Sequence, residues 1–473
     1  MLAGAEARAA LGRLADQPVL IDETGRALTA DMVLDRVTRA AGRLRSDGLG
    51  GRRIGLWSWN APETVEAHLA VEWAGATRVP VDPGAPAKEA RRVFAAAHVD
   101  VVLADREHAA ALGGDVLVHD EGEPLEGAPL AAPVEVAPEQ ILQLYPRMAA
   151  DDEFLAVPIS YANWRAVIAH NVDLYRSGVY GPGFDDRERF LTVQQLMHGT
   201  GMLGSFPFLE MGLAQVLVRR FTAETTLEVA EREGATASFM VPGMVSSLAD
   251  ALEATGQDSC LRRILYGGAP FPLDDMRRAL TLLGPVLVQV YGRFDGGWPI
   301  AALGVAEHQR VLDGDDELGT SCGRPVPGIE VRLRPVAGRA PDDTELCVRS
   351  PMVVVDYADP DGWLGLGDLA RSDAEGHLYL RGRLDGMINT GSYHVYPGEV
   401  QEAIERVSGV VEALVRGEPD PRWGQAVTAY VVVENADSSE TILARIGEEL
   451  PDQLARYKLP KRLHLVERLP SSP

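Results

Sequence analysis

The sequence has few cysteines, few basic residues for its size and no long apolar run. Among its 473 residues only Cys260, Cys322 and Cys347 carry thiols, and no pair of them has the spacing of metal ligands. Scattered, odd-numbered thiols are typical of a reducing compartment, which predicts a cytoplasmic location. No apolar run reaches the roughly 18 residues that a membrane-spanning helix needs. Charges at Glu6 and Arg8 argue against a signal or transit peptide.

Positive charge is scarce relative to negative charge. The 45 Lys and Arg residues face 69 Asp and Glu residues, which gives a net charge of −24. Such a surface repels nucleic-acid phosphates and anionic membranes, so the sequence predicts no general affinity for either. Hydrophobic residues at 46% and charged residues at 24% are ordinary for a globular protein, which excludes global disorder. The length favours about three structural units.

Helical and strand patterns alternate through most of the chain. Apolar residues spaced by three and four predict a helix over 29–45 with Thr29 as its N-cap, and short apolar runs predict strands at 53–57 and 77–81. This alternation predicts an α/β fold with a largely parallel sheet. Residues 317–380 change to short β segments with turn signals, and a compact α+β pattern follows Gly382.

These changes predict a division of the chain into a large and a small domain. The large N-terminal domain covers 1–382, with two α/β subdomains at about 1–121 and 140–315 and a small β-rich subdomain at 316–382. The Gly- and Pro-rich stretch between 121 and 140 is interpreted as a connection. The small α+β domain covers 383–473.

Four motifs occur in a fixed order in the second half of the chain. Their positions are 264–270 (ILYGGAP), 288–292 (VQVYG), 367–369 (GDL) with 376–388 (GHLYLRGRLDGMI), and 391–400 (GSYHVYPGEV) with 419–425 (PDPRWGQ). In this order, around the β-rich insert, they resemble the adenylate-forming superfamily of acyl- and aryl-CoA ligases, luciferase-like enzymes and peptide-synthetase adenylation domains. The resemblance covers nearly the whole chain.

The resemblance implies a two-step reaction and a mobile small domain. A carboxylate attacks the α-phosphate of ATP to give an acyl adenylate, and the small domain then rotates so that a thiol takes the acyl group. ATP or AMP with Mg²⁺, and coenzyme A or the pantetheine of a carrier protein, are the cofactors and partners implied. A carboxylate is a poor electrophile, and the mixed anhydride supplies a good leaving group.

The same resemblance assigns a nucleotide site. It implies that Asp368 accepts hydrogen bonds from ribose hydroxyls, that Arg383 contacts the ribose and phosphate and acts in catalysis, and that Tyr291 stacks on adenine while Gly292 admits the base. Asp385 matches the hinge of the small domain. The alternatives are a plain Gly-Asp turn, a surface ion pair between Arg383 and Asp385, and a core tyrosine.

An acyl pocket is implied around His198, which lies in the segment where a histidine or aromatic residue closes the pocket and acts in catalysis. The small residues Gly199, Gly267, Gly268 and Ala269 are expected to line the same pocket. The alternatives are a structural histidine and a plain turn at a strand end.

The thiolation loop and the metal residue are the other sites that the resemblance implies. The loop is expected to contain Gly391, Pro397 and Glu399. Asp295 is the candidate metal ligand, because the family usually has a threonine and an acidic residue after the Tyr-Gly pair, and this chain has Arg293, Phe294 and Asp295 there.

The phosphate-binding loop departs most from the family pattern. A gapless count from the anchor at 157–164 places the loop on 147–156, which contains no Gly, Ser or Thr, and Leu155 occupies the lysine position. Asp151, Asp152 and Glu153 put negative charge where phosphates bind. Like charges at about 4 Å repel by roughly 4 kcal/mol at an effective dielectric constant of about 20, which predicts impaired or unusual binding of the ATP phosphates.

Two further departures concern the small domain. Asn389 replaces a lysine that often follows the hinge, and the chain stops at Pro473, before the position expected for the catalytic lysine.

The function that the resemblance implies is that of an acid–thiol ligase-like protein acting on a hydrophobic or aromatic carboxylic acid in secondary metabolism. The alternatives are a relative that uses a preformed acyl adenylate or thioester, and a non-catalytic protein that binds a ligand or a partner.

Overall fold

The computed structural model describes residues 4–114, 116–132, 134–148, 154–336, 344–384, 386–391, 393–420, 422–433, 439–466 and 468–470. The α-helices within these ranges are α1 (Ala5–Leu14), α2 (Ala30–Ser46), α3 (Pro62–Trp73), α4 (Ala87–Ala96), α5 (Arg106–Leu112), α6 (Tyr161–Ser177), α7 (Gly199–Met211), α8 (Ala223–Glu233), α9 (Pro242–Thr255), α10 (Leu273–Leu283), α11 (Val305–Leu312), α12 (Pro397–Glu405) and α13 (Ser439–Glu449).

The β-strands within the same ranges are β1 (Pro18–Asp22), β2 (Ala27–Thr29), β3 (Arg53–Trp57), β4 (Thr77–Pro80), β5 (Val101–Ala104), β6 (Val116–Val118), β7 (Ile141–Met148), β8 (Phe154–Ser160), β9 (Phe190–Thr192), β10 (Gln215–Leu217), β11 (Ala237–Met240), β12 (Arg263–Gly267), β13 (Leu287–Arg293), β14 (Gly297–Leu303), β15 (Arg324–Pro325), β16 (Glu330–Pro335), β17 (Thr344–Arg349), β18 (Leu364–Ser372), β19 (Leu378–Arg383), β20 (Ile388–Thr390), β21 (Tyr393–Val395), β22 (Val410–Asp420), β23 (Gly424–Val433) and β24 (Arg462–Leu465).

Two largely parallel sheets form the body of the large domain. The six-stranded sheet has the order β6-β5-β3-β4-β7-β8, and the nine-stranded sheet has the order β15-β14-β13-β12-β11-β9-β10-β1-β2. Helix α3 is buried along its whole length, including Glu63, Glu66 and Glu72, and it contacts strands of both sheets. Its apolar residues therefore do not form one stripe. The α/β prediction is confirmed.

Each of the two sheets contains strands from both sides of the predicted connection between 121 and 140. Strands β1 and β2, from the beginning of the chain, pair with β10 in the nine-stranded sheet, whereas β7 and β8 pair with β4 in the six-stranded sheet. Sequence patterns indicate which local segments form strands. They do not indicate which distant strands pair, because that pairing depends on tertiary packing.

A β-rich unit and the small domain complete the fold. Strands β16-β17-β18-β19 form an antiparallel sheet. Strands β21-β20-β23-β22, with β24 on β23, form the sheet of the small domain, and α12 and α13 cover its apolar face through residues such as Val400 and Ile446. The large N-terminal and small C-terminal domains thus match the predicted architecture.

Local predictions are accurate where one periodicity dominates. Helix α2 and strand β3 lie within one residue of the predicted ranges, and the Thr29 side chain accepts a hydrogen bond from the Met32 N–H at 3.4 Å. Helix α7 was not predicted, because its sequence contains three glycines and Pro207 and is buried all round. Among the described residues, no helix is long and apolar enough to cross a membrane.

Candidate functional site

A cavity of about 820 Å³ lies where the two domains meet. The large domain contributes residues that follow or end its central strands, including His198, Ala269 and Tyr291, and the small domain contributes Asn389 and Tyr393. Ligands in open α/β folds bind outside the carboxyl ends of parallel strands, and this cavity lies at that edge of β12 and β13. The fold therefore brings together residues that are far apart in the sequence, from Tyr145 to Tyr457.

Asp368 lies at the centre of a polar cluster in this cavity. The Tyr291 hydroxyl donates to Asp368 Oδ2 at 2.7 Å, and Arg383 Nη1 donates to Asp368 Oδ1 at 2.9 Å. Burial, and then the Asp368 carboxylate, raise the pKa of Tyr291, so the phenol remains a donor. Each carboxylate oxygen has a second lone pair that accepts a further hydrogen bond.

The structure explains how these three residues meet. Asp368 was expected at the end of a turn but lies inside β18, and Arg383 is its cross-strand partner on β19. The alternative ion pair of Arg383 with Asp385 involves a residue outside the described ranges. Gly367, which directly precedes Asp368 in β18, has a φ of 71°, a left-handed conformation that favours glycine.

Gly292 has a structural reason for lacking a side chain. It lies in the irregular register between β13 and β14, where an added Cβ would lie 2.8 Å from Trp298 and 2.9 Å from the Gly297 carbonyl oxygen. The close approach of β14 therefore requires glycine here, whatever ligand lies beside it.

Asp295, the candidate metal residue, is held by Arg293. The guanidinium donates from Nε to Oδ1 at 2.9 Å and from Nη2 to Oδ2 at 2.8 Å, and its Nη1 donates to the Leu366 carbonyl oxygen at 2.7 Å. Burial opposes the charge of Arg293, but Asp295 raises the pKa of this arginine overall. Within the part of the chain that the structure describes, no group of three or more His, Cys, Asp or Glu residues forms a metal centre.

Phe294 packs against Tyr145 and the beginning of α7. Its ring stacks on Tyr145 with centroids 4.3 Å apart and planes at 29°. Gly199 begins α7 directly beneath this ring, and a side chain there would overlap Phe294. The Gly199 N–H donates to the Tyr145 hydroxyl, so one apolar plug of Phe294, Tyr145 and Gly199 lines the cavity.

His198 precedes α7 and pairs with a residue that the sequence did not single out. Its Nε2 lies 3.1 Å from Asp82 Oδ2, and Asp82 follows β4 at the carboxyl end of the six-stranded sheet. Burial opposes ionisation of Asp82, but the His198 ring and the Gly84 N–H lower the pKa of this carboxyl overall. The position of Asp82 directly after a predicted strand was the signal that could have identified it.

The predicted acyl-pocket glycines divide into two groups. Gly199, Gly268 and Ala269 line the cavity together with His198. Gly267 is not among the described lining residues; it ends β12, where a side chain would overlap the Val290 carbonyl oxygen. Its small size is required by the packing of neighbouring strands.

The predicted thiolation residues are not among the described residues that line the cavity, although their neighbours Asn389, Tyr393 and Tyr396 are. Gly391 has a φ of 58°, its N–H donates to the Trp423 carbonyl oxygen at 2.9 Å, and Pro397 begins α12. Glu399 is buried at the domain interface, where it accepts from Arg92 of α4 at 2.9 Å and from Lys458 at 2.9 Å.

Lys458 makes a second ion pair across the domain interface. Its Nζ lies 2.6 Å from Glu89 Oε1 on α4. Burial opposes the charge of Lys458, but Glu399 and Glu89 raise the pKa of this lysine overall. We call Glu89, Arg92, Glu399 and Lys458 the interface ion cluster. No sequence pattern indicates it, because its members come from both domains.

Three predicted features cannot be located. Asp151, Asp152 and Glu153 of the phosphate loop lie outside the described residues, as does Asp385, and the Leu155 side chain is also not described. Asn389 lines the cavity, and its buried side-chain Oδ1 has no hydrogen-bond partner among the described residues.

Comparison with known proteins agrees with this architecture. The family profile of the AMP-binding enzymes matches residues 7–154 and 156–358, and the profile of the AMP-binding enzyme C-terminal domain matches residues 399–473. A feruloyl-CoA synthase of Amycolatopsis sp is 30% identical over 97% of this chain and 94% of that protein.

Two other similarities differ in extent. The amide bond synthetase McbA of Marinactinospora thermotolerans has a solved structure with a TM-score of 0.82, 29% identity and coverage of 99% of this chain and 97% of that one. The match to the medium/long-chain-fatty-acid–CoA ligase FadD8 of Mycobacterium tuberculosis, at 30% identity, spans 60% of this chain and only 51% of that protein. The chain belongs to the AMP-binding enzyme family, and it resembles the acyl- and aryl-CoA ligases within it.

Proposed function

We propose that the protein is an AMP-forming acid–thiol ligase for a hydrophobic or aromatic carboxylic acid, with unusual contacts to the ATP phosphates. The observation that carries the proposal is the Asp368 carboxylate, held by Tyr291 and Arg383 inside a cavity with an apolar wall. A ligase of this kind needs a nucleoside site and an acyl site side by side, because the bond forms between them.

In the proposed reaction the nucleoside binds at Asp368. The free lone pairs of this carboxylate accept the ribose hydroxyls, Tyr291 supports the adenine ring, and Arg383 faces the ribose and the α-phosphate. The substrate carboxylate attacks the α-phosphorus, pyrophosphate leaves, and a thiol then attacks the acyl carbon and releases AMP. Arg383 stabilises negative charge that develops on the phosphate oxygens.

The acyl group is assigned to the wall formed by Gly199, Gly268 and Ala269 beside His198. Leu203 and Phe271 add apolar surface there. A wall of small residues admits a broad, flat ring, which fits an aromatic acid, and the similarity to a feruloyl-CoA synthase supports this choice. Coenzyme A is the first thiol to test, and carrier-protein pantetheine is the second.

Asp295 does not fit the role of a Mg²⁺ ligand in this arrangement. Both of its carboxylate oxygens accept hydrogen bonds from Arg293, so a cation there would lie beside the positive charge of the guanidinium, which opposes its binding. No step is therefore assigned to a metal ion at Asp295, and Arg293 supplies positive charge near the phosphates instead.

A second candidate function is acyl transfer from a preformed acyl adenylate. The plug of Phe294, Tyr145 and Gly199 favours it, because an apolar ring replaces the hydroxyl donor that phosphate oxygens need at this position. A protein of this kind binds the adenylate but leaves the ATP step to another enzyme.

Pyrophosphate exchange tests the ligase. The purified chain is incubated with ATP, labelled pyrophosphate and ferulate, benzoate, indoleacetate or octanoate. Exchange above the acid-free control supports the ligase. No exchange with any acid contradicts the ATP-dependent version.

Calorimetric titration with a non-hydrolysable benzoyl sulfamoyl adenosine, and with ATP, separates the two candidate functions. Binding of the sulfamoyl adenosine alone favours acyl transfer from a preformed adenylate. Binding of neither ligand contradicts both functions.

A further inference from the structure

The pairing of His198 with Asp82 has a chemical consequence that neither residue has alone. Asp82 Oδ1 accepts the Gly84 N–H at 2.6 Å, which fixes the carboxylate, and Oδ2 faces His198 Nε2 at 3.1 Å. A carboxylate is only an acceptor when ionised, so the proton of a neutral imidazole lies on Nε2.

This tautomer leaves the other ring nitrogen available as a base. Nδ1 of His198 makes no hydrogen bond within the described part of the chain, and the residue lines the cavity. His198 is also the N-cap of α7, with an extended backbone (φ −97°, ψ 152°), so its ring stands at the end of the helix and not within a packed helix face.

The small domain covers this pair. The Tyr393 ring meets the His198 ring edge to face at 5.1 Å, and Tyr457 stacks on Tyr393 at 4.1 Å. The charged and titratable groups around the pair are Lys458, whose charge helps to lower the pKa of Asp82, and the phenols of Tyr145, Tyr393 and Tyr457. Burial raises the pKa of each phenol, so these hydroxyls stay protonated at neutral pH.

We propose that His198, oriented by Asp82, is the general base that deprotonates the thiol acceptor in the second half-reaction. This inference rests on the proposed function. The S–H proton moves to Nδ1, the sulfur forms a bond to the acyl carbon, the bond between the acyl carbon and the phosphate oxygen breaks, and AMP leaves with the electron pair. The imidazolium, stabilised by Asp82, then returns its proton to solvent.

The proposed base matters because the acceptor is mostly protonated at neutral pH. An aliphatic thiol titrates at about 8.5, so only a few per cent is thiolate at pH 7. General base catalysis typically contributes on the order of 100-fold or more. Asp82 contributes by holding the tautomer and the ring orientation, as an aspartate does in a hydrolase triad; Asp82 is therefore a positioning residue.

Single-turnover acyl transfer tests the proposal without the ATP step. Synthetic benzoyl-AMP or octanoyl-AMP is mixed with the full chain and pantetheine, and thioester formation is followed from pH 6 to about 9.5, a range that spans imidazole and thiol titration. His198→Phe keeps an aromatic ring beside Tyr393 and removes the base. At pH 7 we expect its rate to fall on the order of 100-fold and that of Asp82→Asn about 10-fold.

The pH profile separates a base from a purely structural residue. The His198→Phe rate should approach the wild-type rate at the alkaline end, where pantetheine is already thiolate, and affinity for benzoyl sulfamoyl adenosine should stay within about threefold of wild type. Equal rates at pH 7, or a deficit of the same size at every pH, would overturn the proposal. So would a wild-type chain that binds the adenylate mimic and transfers neither acyl group to pantetheine.

A spectroscopic measurement requires no turnover. Nitrogen chemical shifts of the His198 ring, assigned by loss of the signal in His198→Phe, should show protonated Nε2 and unprotonated Nδ1. The opposite tautomer would overturn the proposal. Failure of the proposed function has a different signature, namely no pyrophosphate exchange and no binding of the mimic by the wild-type chain.

Discussion

At the scale of single residues, Asp368 connects the β-rich unit to the nucleotide site. It is buried, accepts from Tyr291 and Arg383, and faces the cavity from the middle of β18. Two donors fix the position of its carboxylate before any ligand arrives, so little ordering is needed when a ribose binds.

Replacing Asp368 with Ala should weaken binding of benzoyl sulfamoyl adenosine on the order of 100-fold. The substitution removes acceptors for the ribose hydroxyls, each worth about 1.5–3 kcal/mol when the carboxylate is charged, and it removes the acceptor of the Tyr291 hydroxyl and of Arg383 Nη1. Calorimetry measures the change. Glu330→Ala is the matched control, because it removes an exposed carboxylate from the same sheet; unchanged affinity in Asp368→Ala contradicts the ribose role.

Phe294→Thr should increase ATP affinity. The ring of Phe294 stacks on Tyr145 and offers phosphate oxygens no donor, whereas threonine supplies a hydroxyl and opens space. An increase of about 10-fold corresponds to one hydrogen bond of about 1.4 kcal/mol. Phe294→Leu is the control for space alone. If leucine and threonine act equally on ATP affinity in a calorimetric titration, the hydroxyl is not the cause.

At the scale of secondary-structure elements, α4 and α12 set the arrangement of the two domains. The interface ion cluster joins Glu89 and Arg92 on α4 to Glu399 on α12 and to Lys458. Removing one member leaves a buried charge without its partner, which is unfavourable by several kcal/mol unless the interface opens.

Lys458→Met should therefore shift the small domain away from α4. Small-angle scattering should show a larger radius of gyration than wild type, and the difference should shrink at pH values where Glu89 is protonated. Burial raises the pKa of Glu89, so its repulsion of Glu399 is lost as the pH falls. Lys461→Met is the control, since Lys461 donates to the Arg456 carbonyl oxygen and makes no ion pair with a carboxylate of the described residues. An unchanged radius in Lys458→Met contradicts this view of the cluster.

At the scale of the whole molecule, buried ionisable groups make stability depend on pH. His308 lies inside α11, where its Nε2 accepts from the Tyr266 hydroxyl at 2.8 Å and its Nδ1 donates to the Gly304 carbonyl oxygen at 2.7 Å. Burial lowers the pKa of His308 to about 4 from its ordinary value of 6.5. Between these values the unfolded chain binds a proton that the folded chain does not.

The free energy of unfolding should therefore fall as the pH drops from 6.5 to 4. A shift of this size corresponds to about 3 kcal/mol at most from this one residue. Urea unfolding of wild type and His308→Gln at pH 7 and at pH 4.5 measures the difference. The variant should lose less stability between the two pH values, and an equal loss would show that His308 does not titrate in this way.

The sequence by itself determined the elements with a single strong periodicity, the two-domain order and the family, because these depend on local spacing and on short motifs. It also placed Tyr291, Asp368 and Arg383 in one site, although only by resemblance. Tertiary structure alone decided that Asp368 and Arg383 are cross-strand partners, that Asp82 holds His198 and that α4 meets α12. Each of these contacts joins residues far apart in the chain, and their approach depends on how sheets and domains pack, which no local pattern records.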